Sequence, residues 1–390
     1  MEAYIIKGYR SAVAKAKKGG FKNYRSDDLA VDVIKHLMSQ VPEIDPKLVD
    51  DVIVGCANPE GEQGLQVGRL ISARALGKEV PGITINRYCA SGLEAISMAV
   101  GKIKAGFGHI YLAGGAESMS MIPMTGYKLA PSYKANMENI NYHVSMGHTA
   151  EAVAKKYDIS REASDVFSYE SHLKAIDAID SGRFKDEIVP VTVEDVFVKD
   201  GKRVESSHTV DTDEGIRRST SVEGLSKLRA VFKMGGVVTA GNSSQTSDGA
   251  AFTLVVSEEI VKKYNLKPVA KLLACAVAGV DPLYMGIGPC LAIPKALKQA
   301  GLALSDIEQI ELNEAFAAQS LAVIKEAGLN PEIVNVNGGA IALGHPLGCT
   351  GAKLTIQLLN EMRRRDQKYG MVSACVGGGQ GIAGIFERLN

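Results

Sequence analysis

Ile83-Thr84-Ile85-Asn86-Arg87-Tyr88-Cys89-Ala90-Ser91-Gly92 is the stretch whose reading decides the fold. A short β-branched run ends at Asn86. A glycine-containing turn then opens a helical pattern in which Ile96, Val100 and Ile103 recur on one face. The next apolar run, Ile110-Tyr111-Leu112-Ala113, ends in Gly114-Gly115. Strand, turn, helix and strand in this order read as an α/β unit. The same plan recurs near the other end. A run over 333–336 ends in Asn337, followed by Gly338-Gly339, a glycine-rich turn, a helix from Pro346, and a strand Met371–Cys375 running into Gly377-Gly378-Gly379. Few residues match between the two. The shared plan suggests a duplicated unit whose strand ends face one site.

Working outward, Asp51-Val52-Ile53-Val54-Gly55 and Phe252–Val256 read as further buried strands. Leu29, Val33, Ile34, Leu37 and Met38 read as a helix face. From 118 to 240 the pattern changes. Methionines cluster (Met119, Met121, Met124, Met137, Met146), a helix pair is expected over 148–158 and 162–180, and the charged stretch Asp195 to Lys233 has no clear period. This segment reads as an insertion or lid. After Pro268, alternation resumes: a strand over Val269–Val280, a helix Pro294–Ala300 ended by Gly301, a strand over 307–312 and a helix from Glu314.

Composition bounds the function. The 390 residues suggest two or three domains. With 46% hydrophobic and 23% charged residues the chain is an ordinary globular one. Lys+Arg and Asp+Glu both number 44, so no global field draws nucleic acid or an anionic membrane. The 41 glycines, in no collagen period, point to tight turns and close backbone approaches. Six cysteines are scattered without C-x-x-C or metal spacing, so neither a disulfide framework nor a metal site is expected, and a reducing, cytoplasmic setting is. The apolar start Ala3–Ile6 is too short for a signal peptide, and no run reaches the ~18 apolar residues of a membrane helix. The ending Phe386-Glu387-Arg388-Leu389-Asn390 is no peroxisomal address. Gly344 to Lys353 fails as a phosphate loop, because Ala352 and Leu354 stand where Gly and Ser or Thr are needed. The glycines at 377–381 lack dinucleotide spacing.

Four places carry chemistry. Cys89 lies between a strand and a helix over 90–104, where the helix N-terminus would stabilise thiolate and bring its pKa to ~3.5–7.5. A buried small hydrophobe is the plainer reading. His345, framed by Gly344 and Pro346 in a rigid turn, suits a general base for a thiol, or caps the turn. Cys375 ends a strand before Gly377-Gly378-Gly379, whose bare N–H groups could face an oxyanion. Asn313-Glu314-Ala315-Phe316 places polar groups where a strand meets a helix, and an N-cap role suits Asn313.

Taken together, the chain resembles the thiolases, enzymes that make and break 3-ketoacyl-CoA. The likeness rests on Asn86-x-x-Cys89-x-Ser91-Gly92, Gly241-Asn242-Ser243-Ser244 with Asp248-Gly249-Ala250, Asn313-Glu314-Ala315-Phe316, Gly344-His345-Pro346, and Cys375-Val376-Gly377-Gly378-Gly379, in family order over nearly the whole length. The resemblance implies a duplicated thiolase fold, a layered α/β/α/β/α core. It implies an N-terminal core of 1–117 plus 241–264, a lid of 118–240 and a C-terminal core of 265–390. It implies Cys89 as acyl carrier, His345 as its base and Cys375 as acid/base at the α-carbon. One oxyanion hole would be the N–H groups of Cys89 and Gly377, the other His345 with a water on Asn313. Acyl-CoA and CoA would be substrates, with no cofactor. Arg217 or Arg218 would face phosphate, Phe232 would flank pantetheine, Ala240, Ser244 and Met146 would line its channel, and Phe316 would stand beside the substrate. A homodimer or homotetramer, with a possible multienzyme partner in β-oxidation, is implied as well. Ser145 stands where short-chain biosynthetic members commonly carry His, which favours a degradative, broader-chain enzyme. The alternatives are acetyl-CoA acetyltransferase running toward condensation and a silent acyl-CoA or lipid binder. A ketosynthase would normally carry His in place of Cys375.

Overall fold

The computed structural model describes residues 1–389; Asn390, the last residue of the C-terminal address reading, lies outside them. Thirteen strands occur among the described residues: β1 Ala3–Ser11, β2 Ala14–Lys15, β3 Asp51–Gly55, β4 Gly82–Ile85, β5 Ile110–Ser118, β6 Ile188–Val189, β7 Val191–Lys199, β8 Lys202–Val210, β9 Ser247–Ser257, β10 Ala270–Gly279, β11 Gln309–Leu312, β12 Tyr369–Val376 and β13 Gln380–Arg388. The α-helices are α1 Ser26–Ser39, α2 Val67–Ala75, α3 Ser91–Lys104, α4 Tyr133–Glu138, α5 Met146–Lys156, α6 Arg161–Asp180, α7 Val222–Ser226, α8 Glu258–Tyr264, α9 Gly288–Ala300, α10 Ala317–Glu326, α11 Ala340–Leu343 and α12 Leu347–Arg364.

The duplication is visible in strand order. The main path runs β11-β12-β13-β10-β1-β9-β5-β3-β4. In the first half, β4, β3 and β5 are parallel, and β9 and β1 follow antiparallel. In the second, β11 and β12 are parallel, and β13 and β10 follow antiparallel. The halves join through a single register pair, Ile5 with Ala270. Helices α3 and α12 share one core with Ile53, Tyr111 and Val255 of the first half and Val372, Val376 and Ile382 of the second. They form the middle layer. Helix α1 packs with the first half in a separate core, and α9 with the second in another. The middle helices meet closely because a Cβ on Gly92 would stand 2.5 Å from Ala352 N, and one on Gly351 2.3 Å from Leu93 N.

Four expectations need correction. The run 333–336 is not a strand. Only Val334 bridges Ile310, where β4 pairs β3 in the first half. The Asn335 amide does the pairing instead: its Oδ1 accepts from Leu312 N–H and its Nδ2 donates to Leu312 O, both at 2.8 Å. Apolar periodicity cannot show a side chain standing in for strand backbone. The stretch from Asp195 holds the hairpin β7–β8, whose residues 196–198 are exposed, so no buried face imposes alternation. The helix expected from Glu314 starts at Ala317, and the one expected from Pro294 starts at Gly288 with Pro294 inside. Between β5 and β9 the chain leaves the main path, carries α4 to α7 and the hairpin, and touches the sheet through β6 on β1.

Candidate active site

The Asn86 to Gly92 motif folds by local hydrogen bonding. Asn86 Oδ1 accepts from Tyr88 N–H at 2.8 Å, and its Nδ2 donates to Ala57 O at 2.8 Å. Ser91 Oγ accepts from Arg87 N–H at 2.9 Å and donates to Tyr88 O at 2.7 Å. These bonds hold Tyr88 at φ +44°, a left-handed conformation that costs a side-chain-bearing residue ~1–3 kcal/mol. Cys89 sits in the resulting 3-10 turn at the head of α3. Its sulfur receives the N–H groups of Gly377 and of Cys89 itself. Burial outweighs both donors, and with Glu117 nearby the thiol is pushed up to about 12. The sequence expectation of a lowered pKa is therefore wrong. The helix N-terminus is present, but the half-buried sulfur loses more hydration than its two donors replace, so the resting thiol keeps its proton.

Cys375, at the end of β12, is fully buried, and its thiol is raised first by burial and then by the proximity of Cys89. A negative charge on either sulfur opposes one on the other. Gly378 and Gly379 sit at φ +79° and +85°, closing the tight link from β12 to β13 that carries Gly377 to Cys89.

His345 is buried, and burial followed by the Lys353 charge pushes it down to about 3, so the imidazole is neutral. Its tautomer follows from its partners. Thr350 Oγ1 donates to Pro346 O at 2.9 Å, so toward His345 Nδ1, 2.6 Å away, it can only accept. The proton therefore sits on Nδ1. Nε2 carries the lone pair and receives Asn313 Nδ2–H at 3.2 Å. Asn313 Oδ1 is buried with no partner among the described residues. Gly344 at φ +100° makes the turn before His345, and a Cβ there would meet Ser247 Oγ at 2.3 Å. Leu347, two residues after His345, packs in one apolar cluster with Cys89.

Two of the recognised motifs meet edge to edge. Ser244 N–H donates to Ala315 O at 3.0 Å, Ala317 N–H to Asn242 O at 2.9 Å, and Ser243 bridges Phe316. Asn242 in turn fixes the preceding loop through Thr239 N–H, Val237 O and Asp165. That loop borders a groove of about 530 Å3 lined by Arg217, Phe232, Ala240 and Ser244, together with Lys15 and Lys18. Lys15, Lys18 and Arg217 form no ion pair among the described residues, and no acidic side chain is among the residues lining the groove, although the Glu214 carboxylate holds the backbone N–H groups of Lys15 and Gly20 beside it. Arg218 is directed elsewhere: its guanidinium holds Asp180 through bonds of 2.6 and 2.9 Å. Met146 and Phe316 do not line the groove. They pack with Phe232 in the apolar cluster that contains Cys375, with the Phe232 and Phe316 rings 6.4 Å apart. A second cavity of about 390 Å3, bordered by Lys7, Asn360 and Arg363, contains neither Cys89 nor Cys375 nor His345.

Sequence reading missed Lys15, Lys18, Thr350 and Glu117. The basic, glycine-ended run Lys15-Ala16-Lys17-Lys18-Gly19-Gly20 was a signal for the first two. Glu117 gave none. It is a buried acceptor for the N–H groups of Ala57 and Gly348 and for Gln63, and it locks the start of α12 beside the Cys89 turn.

A cysteine under two N–H donors, a neutral imidazole with a fixed lone pair and a cationic groove, on a duplicated α/β fold, define an acyltransferase. The particular family is set by comparison. The models for the thiolase N-terminal and C-terminal domains match residues 3–259 and 266–388. The chain is 51% identical over 388 residues to a 3-ketoacyl-CoA thiolase of Bacillus subtilis, covering 99% of each. Among solved structures it is similar to human mitochondrial 3-ketoacyl-CoA thiolase (TM-score 0.89, 38% identity, 100% of this chain and 99% of that one). It is also similar to the Bacillus anthracis acetyl-CoA acetyltransferase (TM-score 0.87, 38% identity, the same coverage). The chain belongs to the thiolase family.

Proposed function

We propose that the protein is a 3-ketoacyl-CoA thiolase that cleaves its substrate with CoA through an acyl-Cys89 intermediate, in fatty-acid β-oxidation. The carrying observation is that the half-buried Cys89 and the buried Cys375 lie close enough to influence each other, with Gly377 N–H on the Cys89 sulfur. Cys89 gives its proton to Nε2 of His345, and its sulfur adds to the 3-keto carbon. The N–H groups of Cys89 and Gly377 hold the resulting oxyanion. The C2–C3 bond then breaks, and its electron pair leaves as the acetyl-CoA enolate. Cys375 gives that carbon a proton, and the imidazolium returns one to Cys375. A water on Asn313 Oδ1, with His345, holds the enolate oxygen. In the second half, CoA thiol gives its proton to Nε2 and attacks the acyl-Cys89 carbonyl. Cys89 leaves and takes that proton back.

Arg217, with Lys15 and Lys18, suits the phosphates of CoA, while Phe232, Ala240 and Ser244 suit pantetheine along the groove. Met146 and Phe316 back the acyl side near Cys375. The units 1–117 plus 241–264, 118–240 and 265–390 are the core, lid and core of this reading. The exit at β5 and return at β9 support them. Six unpaired cysteines support a cytoplasmic setting. The outer edge of β4, beside exposed Leu65, Leu70 and Tyr88, supports a homodimer or homotetramer, with a β-oxidation partner enzyme as a further associate.

The second reading, condensation of two acetyl-CoA, runs the same steps backward and is favoured by the likeness to the acetyl-CoA acetyltransferase. Thiolysis rates over a ketoacyl-CoA series decide between them. A six-carbon or longer substrate should match or exceed acetoacetyl-CoA in kcat/KM, and a strong preference for acetoacetyl-CoA would promote the second reading. Intact mass after mixing with acetyl-CoA tests the silent-binder alternative, which would show no covalent acetyl group.

A further inference from the structure

A three-glycine link carries the Gly377 N–H, and no side chain of its own steadies it. Gly378 is exposed, and a Cβ built there would meet nothing within 4 Å. Beyond the ladder pair Val376 with Gln380, the far end of the link is tied by Val280 N–H to Gly379 O at 2.7 Å. The Gly377 carbonyl is held by one side chain, Gln380, whose Nε2 donates to it at 3.3 Å. The same amide reaches the other half of the molecule: Gln380 Oε1 accepts from Arg87 Nη1 at 2.9 Å. Arg87 precedes Cys89 by two residues in the nucleophile turn. Its guanidinium is oriented by Glu94 on α3 through bonds of 2.9 and 3.4 Å, and its own N–H is held by Ser91. A chain of bonds, Glu94 to Arg87 to Gln380 to Gly377 O, therefore links the turn that carries the sulfur to the loop that carries the donor.

We propose that Arg87 and Gln380 are positioning residues that hold the Gly377 N–H on the Cys89 sulfur. The backbone geometry explains why a bond to the carbonyl matters for the N–H. Val376, fixed in the β12–β13 ladder, sets one side of Gly377. The Gln380 bond anchors the carbonyl on the other side, so the φ and ψ that join carbonyl to N–H, which glycine alone leaves free, are confined together. Without it the donor swings, and the oxyanion that forms at the substrate loses part of its aim. The bridge also crosses between halves, so it fixes the nucleophile and its donor against each other rather than each to its own half.

This inference rests on the thiolase reading for its kinetic readout, and a second readout is independent of turnover. The experiment compares the parent with Gln380→Met, Arg87→Met, the double variant and Gln380→Glu. Thiolysis of acetoacetyl-CoA gives kcat and KM, and intact mass gives the rate of Cys89 alkylation by iodoacetamide at fixed pH. Gln380→Met changes no charge, and Glu117 and Cys375, the groups that act on Cys89, stay in place, so its alkylation rate reports the Gly377 donor. It should fall about tenfold, as expected for a lost hydrogen bond to a charged acceptor. In the two single Met variants kcat should fall about 10- to 100-fold, less than outright removal of an oxyanion donor, with KM within about twofold. The double variant should be no worse than the poorer single one. Gln380→Glu keeps an acceptor for Arg87 but cannot donate to Gly377 O, so it should stay as impaired as Gln380→Met. It also answers the question should the Met variants fail to fold. Parent-like kcat in Gln380→Glu would mean the bridge only ties the halves together. Unchanged alkylation in Gln380→Met, or losses that multiply in the double variant, would equally overturn the proposal. A parent without thiolysis would reject the thiolase reading, while the alkylation comparison would still judge the bridge.

Discussion

Thr350→Val should disable the base without disturbing the nucleophile. Valine keeps the volume and branching of threonine and removes the one acceptor of His345 Nδ1–H, now 2.6 Å away. Among the described residues nothing else is bonded to that nitrogen, so the present tautomer would leave a buried donor unsatisfied, at a cost of ~1–3 kcal/mol. The imidazole has a cheaper alternative. Moving the proton to Nε2 needs an acceptor there, and Asn313 supplies one by turning its amide, because its Oδ1 has no partner among the described residues to lose. The variant would thus rest with its lone pair on Nδ1, pointing away from the reacting groups. Recovering the productive tautomer costs the same ~1–3 kcal/mol, which is about 5- to 150-fold in rate. The assay is steady-state thiolysis with CoA. kcat should fall within that range while KM changes little, and Thr350→Ser, which restores the hydroxyl, should recover most of the loss. A Thr350→Val enzyme within twofold of parent, or a Thr350→Ser enzyme no better than Thr350→Val, would refute the tautomer argument.

Four further outcomes are expected. Cys375→Ala should still gain one acetyl group from acetyl-CoA by intact mass, because thioester exchange moves no α-proton. It should fail in condensation and thiolysis and stop exchanging acetyl-CoA methyl protons with deuterated water; parent-like exchange would place the base elsewhere. Arg217→Ala should raise KM for CoA about fivefold, more at low salt, whereas Arg218→Ala, which loses only its surface pair with Asp180, should leave it unchanged. With the Cys89 thiol pushed up to about 12, its alkylation rate should climb about tenfold per pH unit from pH 7 to 10, and a plateau near pH 8 would reject the raised thiol. Burial holds His345 down to about 3 and His172 to about 4, so below their ordinary value near 6.5 the unfolded chain binds protons that the folded one does not. Stability is therefore complete above pH 6.5 and falls on acidification toward these values, which urea midpoints at pH 7 and pH 5 would show.

What the sequence determined by itself was the order of elements and the candidates for the reacting side chains. Asn86 to Gly92, Gly344 to Pro346 and Cys375 to Gly379 are short segments whose shapes are set by local bonds: an Asn and a Ser fold the nucleophile turn, and glycines at positive φ make the other two. Local bonds are legible in sequence because their partners are a few residues apart. Tertiary structure decided what depends on distant partners. The Cys89 turn lies at a helix N-terminus as expected, yet partial burial in the folded chain raises its thiol, a balance no spacing reveals. Arg217 and Arg218 are neighbours in sequence and were interchangeable there. Only the fold brings Asp180 to one and the groove to the other. The absent strand at 333–336 is the same lesson for backbone, since Asn335 satisfies β11 with its side chain and the pattern of apolar residues is unchanged by it. Burial and long-range pairing are sums over the whole chain, so they appear only when the chain has folded.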